Sequence, residues 1–176
     1  MHFQHTHLQG AWIIDPEWRE DLRGGFARSF CAQEFEAAGL PTTFVQCNTS
    51  RNTRRGTLRG LHWQEAPFAE GKLVRCTRGA VYDVMVDIRP HSPTHLQYLG
   101  LELSEQNGRA VYIPEGFAHG YQSLTDDSEV FYMVTAAYHP PASAGLRWND
   151  PAIAIDWPIG QPILSERDGS WALLTG

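Results

Sequence analysis

Alternation of apolar and polar side chains is the main pattern in the middle of this chain. In residues 82–88 (YDVMVDI) an apolar side chain recurs at every second position from Tyr82, which is the period of a β-strand with one face turned to a core. Turn signals such as Asn107-Gly108 separate segments of this kind. Composition rich in Val, Tyr, Thr, Leu and Phe predicts strands at residues 43–47, 57–63, 72–77, 80–88, 96–103, 109–113 and 129–138.

Helical signals are few. Residues 31–38 (CAQEFEAA) are good helix formers and are followed by Gly39 and Pro41, which end helices. Residues 165–168 predict the start of a short terminal helix. Many short strands with few short helices are typical of a mainly-β fold, an antiparallel barrel or double-sheet jelly roll. No repeat, low-complexity segment or linker marks a boundary, so residues 1–176 are expected to form a single domain.

The composition narrows the class of protein. A chain of 176 residues with 42% hydrophobic and 19% charged residues is typical of an ordinary globular domain. Its net charge of -6 opposes long-range attraction to nucleic acid and to anionic membranes, so we expect neither among its partners. A phosphate-bearing ligand would therefore need a local basic cluster.

Two features predict the compartment. The first residues lack the apolar core of a secretion signal, and no stretch approaches the roughly 20 apolar residues of a membrane-spanning helix. Cys31, Cys47 and Cys76 are an odd number without CxxC spacing, which fits reduced thiols better than disulfides or a zinc site. We expect a soluble, cytoplasmic protein.

Two histidines lie in segments that can carry chemistry. His62 lies in RGLHWQ, residues 59–64, where Arg59 and His62 have opposite strand parity and need a bulge at Gly60 to converge. Taken alone, His62 is as consistent with a buried structural histidine as with a functional one. His119 ends the PxGxxH spacing of Pro114 to His119, which matches the second sequence motif of the cupin barrels.

A metal site is disfavoured by one substitution in this pattern. Metal-binding cupins present two histidines as HxH in their first motif, and here the stretch is His62-Trp63-Gln64. A neutral amide is a weak ligand for a first-row metal, so we expect no metal. A metal cupin, either an oxygenase or an isomerase using His62 and His119, remains an alternative.

Over nearly its whole length the sequence resembles the dTDP-4-dehydrorhamnose 3,5-epimerase family. The resemblance rests on ten blocks in order: Asp21-Leu22-Arg23-Gly24, Val45 to Asn48, Leu58 to Gln64, Gly71 to Cys76, Asp83 to Arg89 with Ser92-Pro93-Thr94, Ile113 to Gly120, Tyr132 with Tyr138, Trp148 to Pro151, Asp156-Trp157-Pro158, and Leu164 to Asp168. It implies a cupin-like jelly-roll barrel, a homodimer with exchanged amino-terminal strands, and a deoxythymidine-diphosphate 4-keto-6-deoxyhexose as substrate. It also implies catalysis without metal or cofactor.

The resemblance assigns four catalytic residues. His62 is the implied base that removes a proton beside the ketone, and Asp168 is its orienting carboxylate. Lys72 is the implied cation for the enolate oxygen, and Tyr132 the implied acid on the opposite face of the sugar. Each has a structural alternative. Asp168 fits a capping box with Ser165, Lys72 fits a solvent-exposed strand lysine, and Tyr132 fits core packing.

A second group is implied in substrate binding. A diphosphate carries about two negative charges and needs arginines that grip its oxygens, for which Arg23, Arg59 and Arg167 are the candidates. The remaining positions are a sugar-pocket histidine, two polar contacts on the nucleotide side and an aromatic residue: His119, Gln46, Asn48 and Tyr138. The amides fit turn hydrogen bonds equally well.

The sequence also departs from the family pattern. Gly25 replaces an aromatic residue, while Arg28 and Ser143 stand where many members have glutamate. Arg28 stays among the substrate-binding candidates. Because its charge is opposite to that of glutamate, we expect a changed nucleotide preference. The number of inverted carbons is open, because a relative inverting only C3 or only C5 would keep the same residues. A nucleotide-sugar-binding protein without catalysis is the third alternative.

Overall fold

The computed structural model describes residues 1–174 and is built mainly of antiparallel strands. The strands of the first half are β1 (His2–His5), β2 (Trp12–Asp15), β3 (Arg19–Asp21), β4 (Gly24–Phe26), β5 (Gln46–Asn52), β6 (Leu58–Gln64) and β7 (Lys72–Arg78). Those of the second half are β8 (Ala80–Asp87), β9 (Tyr98–Ser104), β10 (Ala110–Ile113), β11 (Phe117–Ser123), β12 (Ser128–Val134) and β13 (Ser143–Gly145). The helices are α1 (Ala32–Ala37) and α2 (Glu166–Ser170).

Two large sheets form the body of the fold. The six-stranded sheet has the order β1-β2-β10-β7-β12-β5, and the five-stranded sheet has the order β13-β6-β11-β8-β9. Neighbouring strands are antiparallel in both sheets. Most neighbours in a sheet are distant in sequence, as β10 and β7 are, so the chain crosses repeatedly between the sheets. The predicted cupin-like jelly roll is confirmed.

The main core lies between the two sheets. The six-stranded sheet contributes Val74, Val111 and Val130, and the five-stranded sheet contributes Val81 and Met85, all of them fully buried. Burial of a side chain of this size stabilises the fold by about 1.5–3 kcal/mol. This packing fixes the distance between the sheets, and therefore the width of any cavity between them.

The outer face of the five-stranded sheet is also covered. The segment after β13 lies over it, where Leu146, Ile153 and Trp157 pack against Val84 and Val86. The alternating strand predicted near residues 82–88 is therefore buried on both faces rather than one. The covering segment then continues to α2, which brings the end of the described chain back to β6.

The amino-terminal region is built differently. Helix α1 packs on the outer face of the six-stranded sheet through the buried side chain of Phe35. The β3–β4 hairpin pairs with neither large sheet and leaves Leu22 and Phe26 exposed. None of the helices in the described chain is long and apolar enough to cross a membrane.

Candidate functional site

A cavity of about 510 Å³ opens between the two sheets. Strands β5, β7 and β12 of one sheet line it, together with β6, β11 and β13 of the other and with α2. Ten of the twelve residues predicted for the site line this cavity: Gln46, Asn48, Arg59, His62, Lys72, His119, Tyr132, Tyr138, Arg167 and Asp168. The fold thus brings together residues that are far apart in the sequence.

The His62 ring is joined to the carboxylate of Asp168. Nε2 of His62 lies 2.6 Å from Oδ1 of Asp168, and the N–H of Gly60 donates to Oδ2 at 3.4 Å. Burial raises the pKa of Asp168, but the hydrogen bond and charge of His62 outweigh it and hold that pKa below its ordinary value. Asp168 is therefore a carboxylate at neutral pH, and it fixes which nitrogen of His62 carries a proton.

Helix α2 positions Asp168 through its cap. The hydroxyl of Ser165, the N-cap residue, accepts from the backbone N–H of Asp168 at 3.1 Å. The cap uses the backbone N–H of Asp168 and leaves its carboxylate for His62. Asp168 can therefore be part of the helix cap and also orient His62. The N–H of Leu174 donates to the buried Asp150 at 2.6 Å, which anchors the segment after α2.

The bulge expected at Gly60 is present. The pairing of β6 with β11 shifts register there, which turns Arg59 and His62 toward the same cavity. Gly60 has a φ of 119°, and a Cβ atom at this position would lie 2.6 Å from the Cα of Gly120. Both the positive φ and the close approach of Gly120 therefore require glycine at position 60. Arg59 is held in turn by Asn52, whose Oδ1 accepts from its Nε at 2.8 Å.

Lys72 lies at the base of the cavity with a carboxylate beside it. It is only 8% exposed, and its Nζ is 3.3 Å from the carbonyl oxygen of His62. Nζ also forms an ion pair with Oε1 of Glu70 at 3.2 Å. The alternative of a solvent-exposed lysine is wrong for the described structure, because Lys72 is buried and paired.

Gln64 has a structural role. Its Nε2 donates to Glu70 Oε2 at 3.0 Å and to the carbonyls of Phe68 and Ala137, while its Oε1 accepts from the N–H of His139 at 2.6 Å. The Gln64 amide, at the position of a cupin metal ligand, therefore uses its hydrogen bonds to fix the neighbouring loops. Within residues 1–174 no three His, Cys, Asp or Glu side chains form a group that could hold a metal ion.

His119 forms a second histidine–carboxylate pair. Its Nε2 lies 2.8 Å from Oδ2 of Asp83, which is completely buried on β8. The other oxygen of Asp83 has no hydrogen-bond partner among the described residues. His119 is 9% exposed, so it is more enclosed than His62, whose side chain is 36% exposed.

Tyr132 faces the cavity from the opposite sheet. His62 is on β6 of the five-stranded sheet, whereas Tyr132 is on β12 of the six-stranded sheet. Burial raises the pKa of the Tyr132 phenol, and the negative charge of Glu70 raises it further, against a smaller opposite effect of Arg59. The phenol stays protonated at neutral pH and is able to donate a proton.

Tyr138 and Arg167 line the mouth of the cavity. Strand β12 ends at Val134, so the predicted strand extending to residue 138 is too long, and Tyr138 lies on the following loop. Its backbone N–H donates to Oε1 of Gln46 at 2.6 Å. Arg167 donates from Nη2 to the hydroxyl of Ser143 at 2.8 Å.

Arg23 and Arg28 do not line the cavity of this chain. Arg23 is at the turn of the β3–β4 hairpin with its side chain 89% exposed, and it pairs with Asp21. Arg28 is 62% exposed and pairs with Glu34 at 2.8 Å. Both predicted binding residues are therefore on the amino-terminal surface of the isolated chain.

Several residues that line the cavity were not predicted as site residues, among them Glu70, Tyr121 and Ser50. Glu70 precedes Lys72 by two residues, Tyr121 follows His119 by two on β11, and Ser50 follows Asn48 by two on β5. Tyr121 donates to Ser50 at 2.8 Å across the cavity. A spacing of two along a strand places side chains on one face, so strand parity could have found Tyr121 and Ser50.

Comparison with known proteins agrees with this geometry. The family profile described as dTDP-4-dehydrorhamnose 3,5-epimerase matches residues 5–176. A curated dTDP-4-dehydrorhamnose 3,5-epimerase from Methanothermobacter thermautotrophicus is 47% identical over 173 residues, covering 96% of this chain and 92% of the relative.

Solved structures extend the likeness to three dimensions. The dTDP-4-dehydrorhamnose 3,5-epimerase of Bacillus anthracis, with TDP and PPi bound, aligns with a TM-score of 0.96 at 40% identity, covering 98% of this chain and 99% of that chain. The dTDP-6-deoxy-D-glucose-3,5-epimerase of Legionella pneumophila, in complex with dTDP-4-keto-L-rhamnose, aligns with a TM-score of 0.92 at 42% identity, covering 98% and 92%.

Proposed function

Since the chain belongs to the dTDP-4-dehydrorhamnose 3,5-epimerase family, it is an epimerase of nucleotide-linked 4-keto-6-deoxyhexoses, and we propose that His62, Lys72 and Tyr132 perform the reaction. The observation that carries this assignment is the placement of a histidine–carboxylate pair and a protonated phenol on opposite walls of one cavity. Inversion of a carbon requires that arrangement, because the proton leaves from one face and returns to the other.

His62 removes the proton. A hydrogen beside a ketone is a weak acid, and the free nitrogen of a neutral imidazole is a suitable base to remove it. Asp168 holds Nε2, so the other ring nitrogen takes the proton from carbon. The imidazolium that results is stabilised by the carboxylate of Asp168.

Lys72 stabilises the electron pair left behind. As the carbon–hydrogen bond breaks, its electrons move to the ketone oxygen and form an enolate. A fixed ammonium directed at this oxygen lowers the energy of the transition state, and such prearranged electrostatics is usually the largest catalytic contribution. Lys72 is buried in the same cavity as His62, which supports this role.

Tyr132 returns a proton to the opposite face. Its phenol O–H donates to the same carbon as the enolate collapses to the ketone. The phenolate then regains a proton from solvent, and the His62 imidazolium releases its proton to solvent. The two carbons that flank the C4 ketone are C3 and C5. Inversion occurs at C3, C5 or both, depending on which of them the sugar presents between His62 and Tyr132.

The nucleotide diphosphate binds at the mouth of the cavity. Arg59 and Arg167 are the arginines of the described chain that line the cavity, and each can bond two phosphate oxygens. Gln46, Asn48 and Tyr138 contact the nucleotide side, while His119 contacts the sugar. The ring of Tyr138 is 56% exposed in the isolated chain and is available to a base.

The active form is a homodimer in this proposal. The β3–β4 hairpin is unpaired to either large sheet, and its apolar side chains Leu22 and Phe26 are exposed, which is typical of a surface covered by a partner. A hairpin exchanged between two copies would bring Arg23 and Arg28 of each chain to the cavity of the other.

Three further parts of the proposal concern the whole chain. Residues 1–176 act as one epimerase domain in the cytoplasm, where the free thiols of Cys31, Cys47 and Cys76 remain reduced. The reaction uses no metal and no cofactor. The residue at the cupin metal position supports this, because the Gln64 amide is a weak metal ligand and is occupied by loop contacts.

Proton NMR in deuterated buffer tests the function directly. With dTDP-4-keto-6-deoxyglucose, the protein is expected to replace the hydrogens at the epimerised carbons with deuterium and to form the inverted sugar, with unchanged rates after exhaustive chelation. Binding of dTDP without any exchange would instead identify a non-catalytic binding protein. Loss of activity on chelation, restored by iron, manganese or zinc, would identify a metal cupin.

A further inference from the structure

Glu70 is a buried carboxylate in the cavity to which the mechanism above gives no role. Its side chain is 11% exposed, and its two oxygens contact different partners. Oε1 pairs with Nζ of Lys72 at 3.2 Å, and Oε2 accepts from Nε2 of Gln64 at 3.0 Å. Glu70 therefore joins the start of β7 to the end of β6, the strand that carries His62.

The donors of Lys72 show what this contact does. An ammonium group has three N–H donors. One is directed at the carbonyl oxygen of His62 at 3.3 Å, and the ammonium also forms an ion pair with Oε1 of Glu70 at 3.2 Å. The remaining N–H groups are available to the cavity. Without Glu70, the flexible lysine side chain could rotate its charge among several directions, and it would be buried without a compensating charge.

We propose that Glu70 is a positioning residue that holds the Lys72 ammonium in the direction required by the enolate oxygen. The inference rests on the proposed function, since it gives Glu70 a role only through Lys72. A carboxylate suits this position because one oxygen pairs with the Lys72 charge while the other accepts a hydrogen bond from Gln64. It satisfies Lys72 and Gln64 together, whereas an amide would present its NH₂ group to one of these donors.

The main test is a double-mutant cycle with Glu70→Ala and Lys72→Met. Loss of Glu70 alone should lower kcat by about tenfold or more, since small misplacements of catalytic groups cost up to about a hundredfold. KM and the affinity for dTDP should change less than about threefold, because the nucleotide contacts are elsewhere in the cavity. In the Lys72→Met background, removing Glu70 should cost less than about twofold further.

A matched control is Glu65→Ala, which removes an exposed glutamate of the same loop and should leave kcat unchanged. Thermal unfolding of each variant separates a lost fold from a lost contact. Glu70→Gln, which keeps one accepting oxygen, should recover part of the rate lost in Glu70→Ala.

The inference is overturned if folded Glu70→Ala keeps a kcat within twofold of wild type, if the two losses multiply in the double variant, or if Glu70→Gln is as slow as Glu70→Ala. Failure of the proposed function has a different signature, because wild-type protein would then exchange no deuterium into the 4-keto sugar.

Discussion

The cavity and the β3–β4 hairpin hold their charged residues in opposite ways. In the cavity, Lys72 and Asp168 are buried, and each is held by a contact with His62 on strand β6, another element of the fold. On the hairpin, Arg23 is exposed, and its partner Asp21 is only two residues away. The geometry of the cavity is therefore set by tertiary packing, whereas that of the hairpin is set locally and is open to a partner chain.

This difference predicts where substitutions have large effects. Solvent cannot take the place of a buried side chain that is held by hydrogen bonds or ion pairs. Removing such a side chain should therefore change one chemical step specifically. An exposed surface pair contributes about 0–1 kcal/mol, so changing it should alter affinity only slightly.

The largest effect is expected for His62→Asn. Asparagine cannot act as the base, so deuterium incorporation at every epimerised carbon should fall by about 10²–10⁴. Binding of dTDP should persist, because the proposed phosphate contacts of Arg59 and Arg167 are unchanged. Exchange is measured by proton NMR and binding by calorimetry. A variant that exchanges at nearly the wild-type rate would remove His62 from its assigned role.

The next effect is expected for Tyr132→Phe, which separates the two faces of the sugar. His62 and Lys72 should still form the enolate, while delivery of the proton from the opposite face should fall about a hundredfold or more. Recovered substrate should gain deuterium through His62 with little inverted product. Equal loss of exchange and inversion in a folded variant would contradict this role, and Tyr138 or a bound water would become the better candidate.

Asp168→Asn should have a smaller effect, because Asp168 acts on the substrate only through His62. Loss of such an orienting group is expected to cost about a hundredfold or less, the lower end of the range for loss of a general base. Asparagine keeps the shape and retains one oxygen, so the helix cap formed by Ser165 with its backbone should remain. A rate loss larger than that of His62→Asn would contradict the assigned order of roles.

The lowered pKa of Asp168 adds a pH dependence to this comparison. Because the folded-state pKa is below the ordinary value of 3.8, the stability gained from the charged carboxylate is complete above about that pH. It is lost as the pH falls through the folded-state pKa. The difference in melting temperature between wild type and Asp168→Asn should therefore be constant near neutrality and shrink on acidification below pH 3.8.

The same comparison explains what the sequence could and could not predict. Alternation identified β8 because its apolar side chains recur at every second position. It missed β11, where every residue is buried and the segment from Phe117 to Ser123 includes His119, Gly120 and Gln122. Strand β8 is also buried on both faces, but its aspartates lie on one face only, whereas β11 has a polar side chain on each face, His119 and Gln122, and so shows no period of two. Local pattern therefore fails at the strand that carries part of the site.

Pairing across the fold was also beyond local pattern. The family resemblance indicated that His62 and Asp168 act together across 106 residues, but the residues themselves left capping as an alternative. Glu70 gave no signal, because a lone glutamate before a strand is typical of a solvated loop. Its role depends on contacts with both Gln64 and Lys72. These contacts follow from the packing of β6 and β7, which lie in different sheets.

The smallest effect is expected for Arg28→Glu, which tests whether the amino-terminal surface reads the nucleotide. Arg28 is outside the cavity of its own chain and pairs with Glu34, so it can contact a nucleotide only through the partner's cavity. Restoring the acid common in the family should raise the preference for dTDP over UDP by about two- to fivefold, the size of one exposed charge contact.

Arg54→Glu is a matched charge reversal on an exposed loop and should leave the preference unchanged. Affinities for several nucleoside diphosphates, measured by calorimetry on both variants, check this. A strong dTDP preference in wild type that Arg28→Glu does not alter would show that this departure from the family pattern is functionally silent.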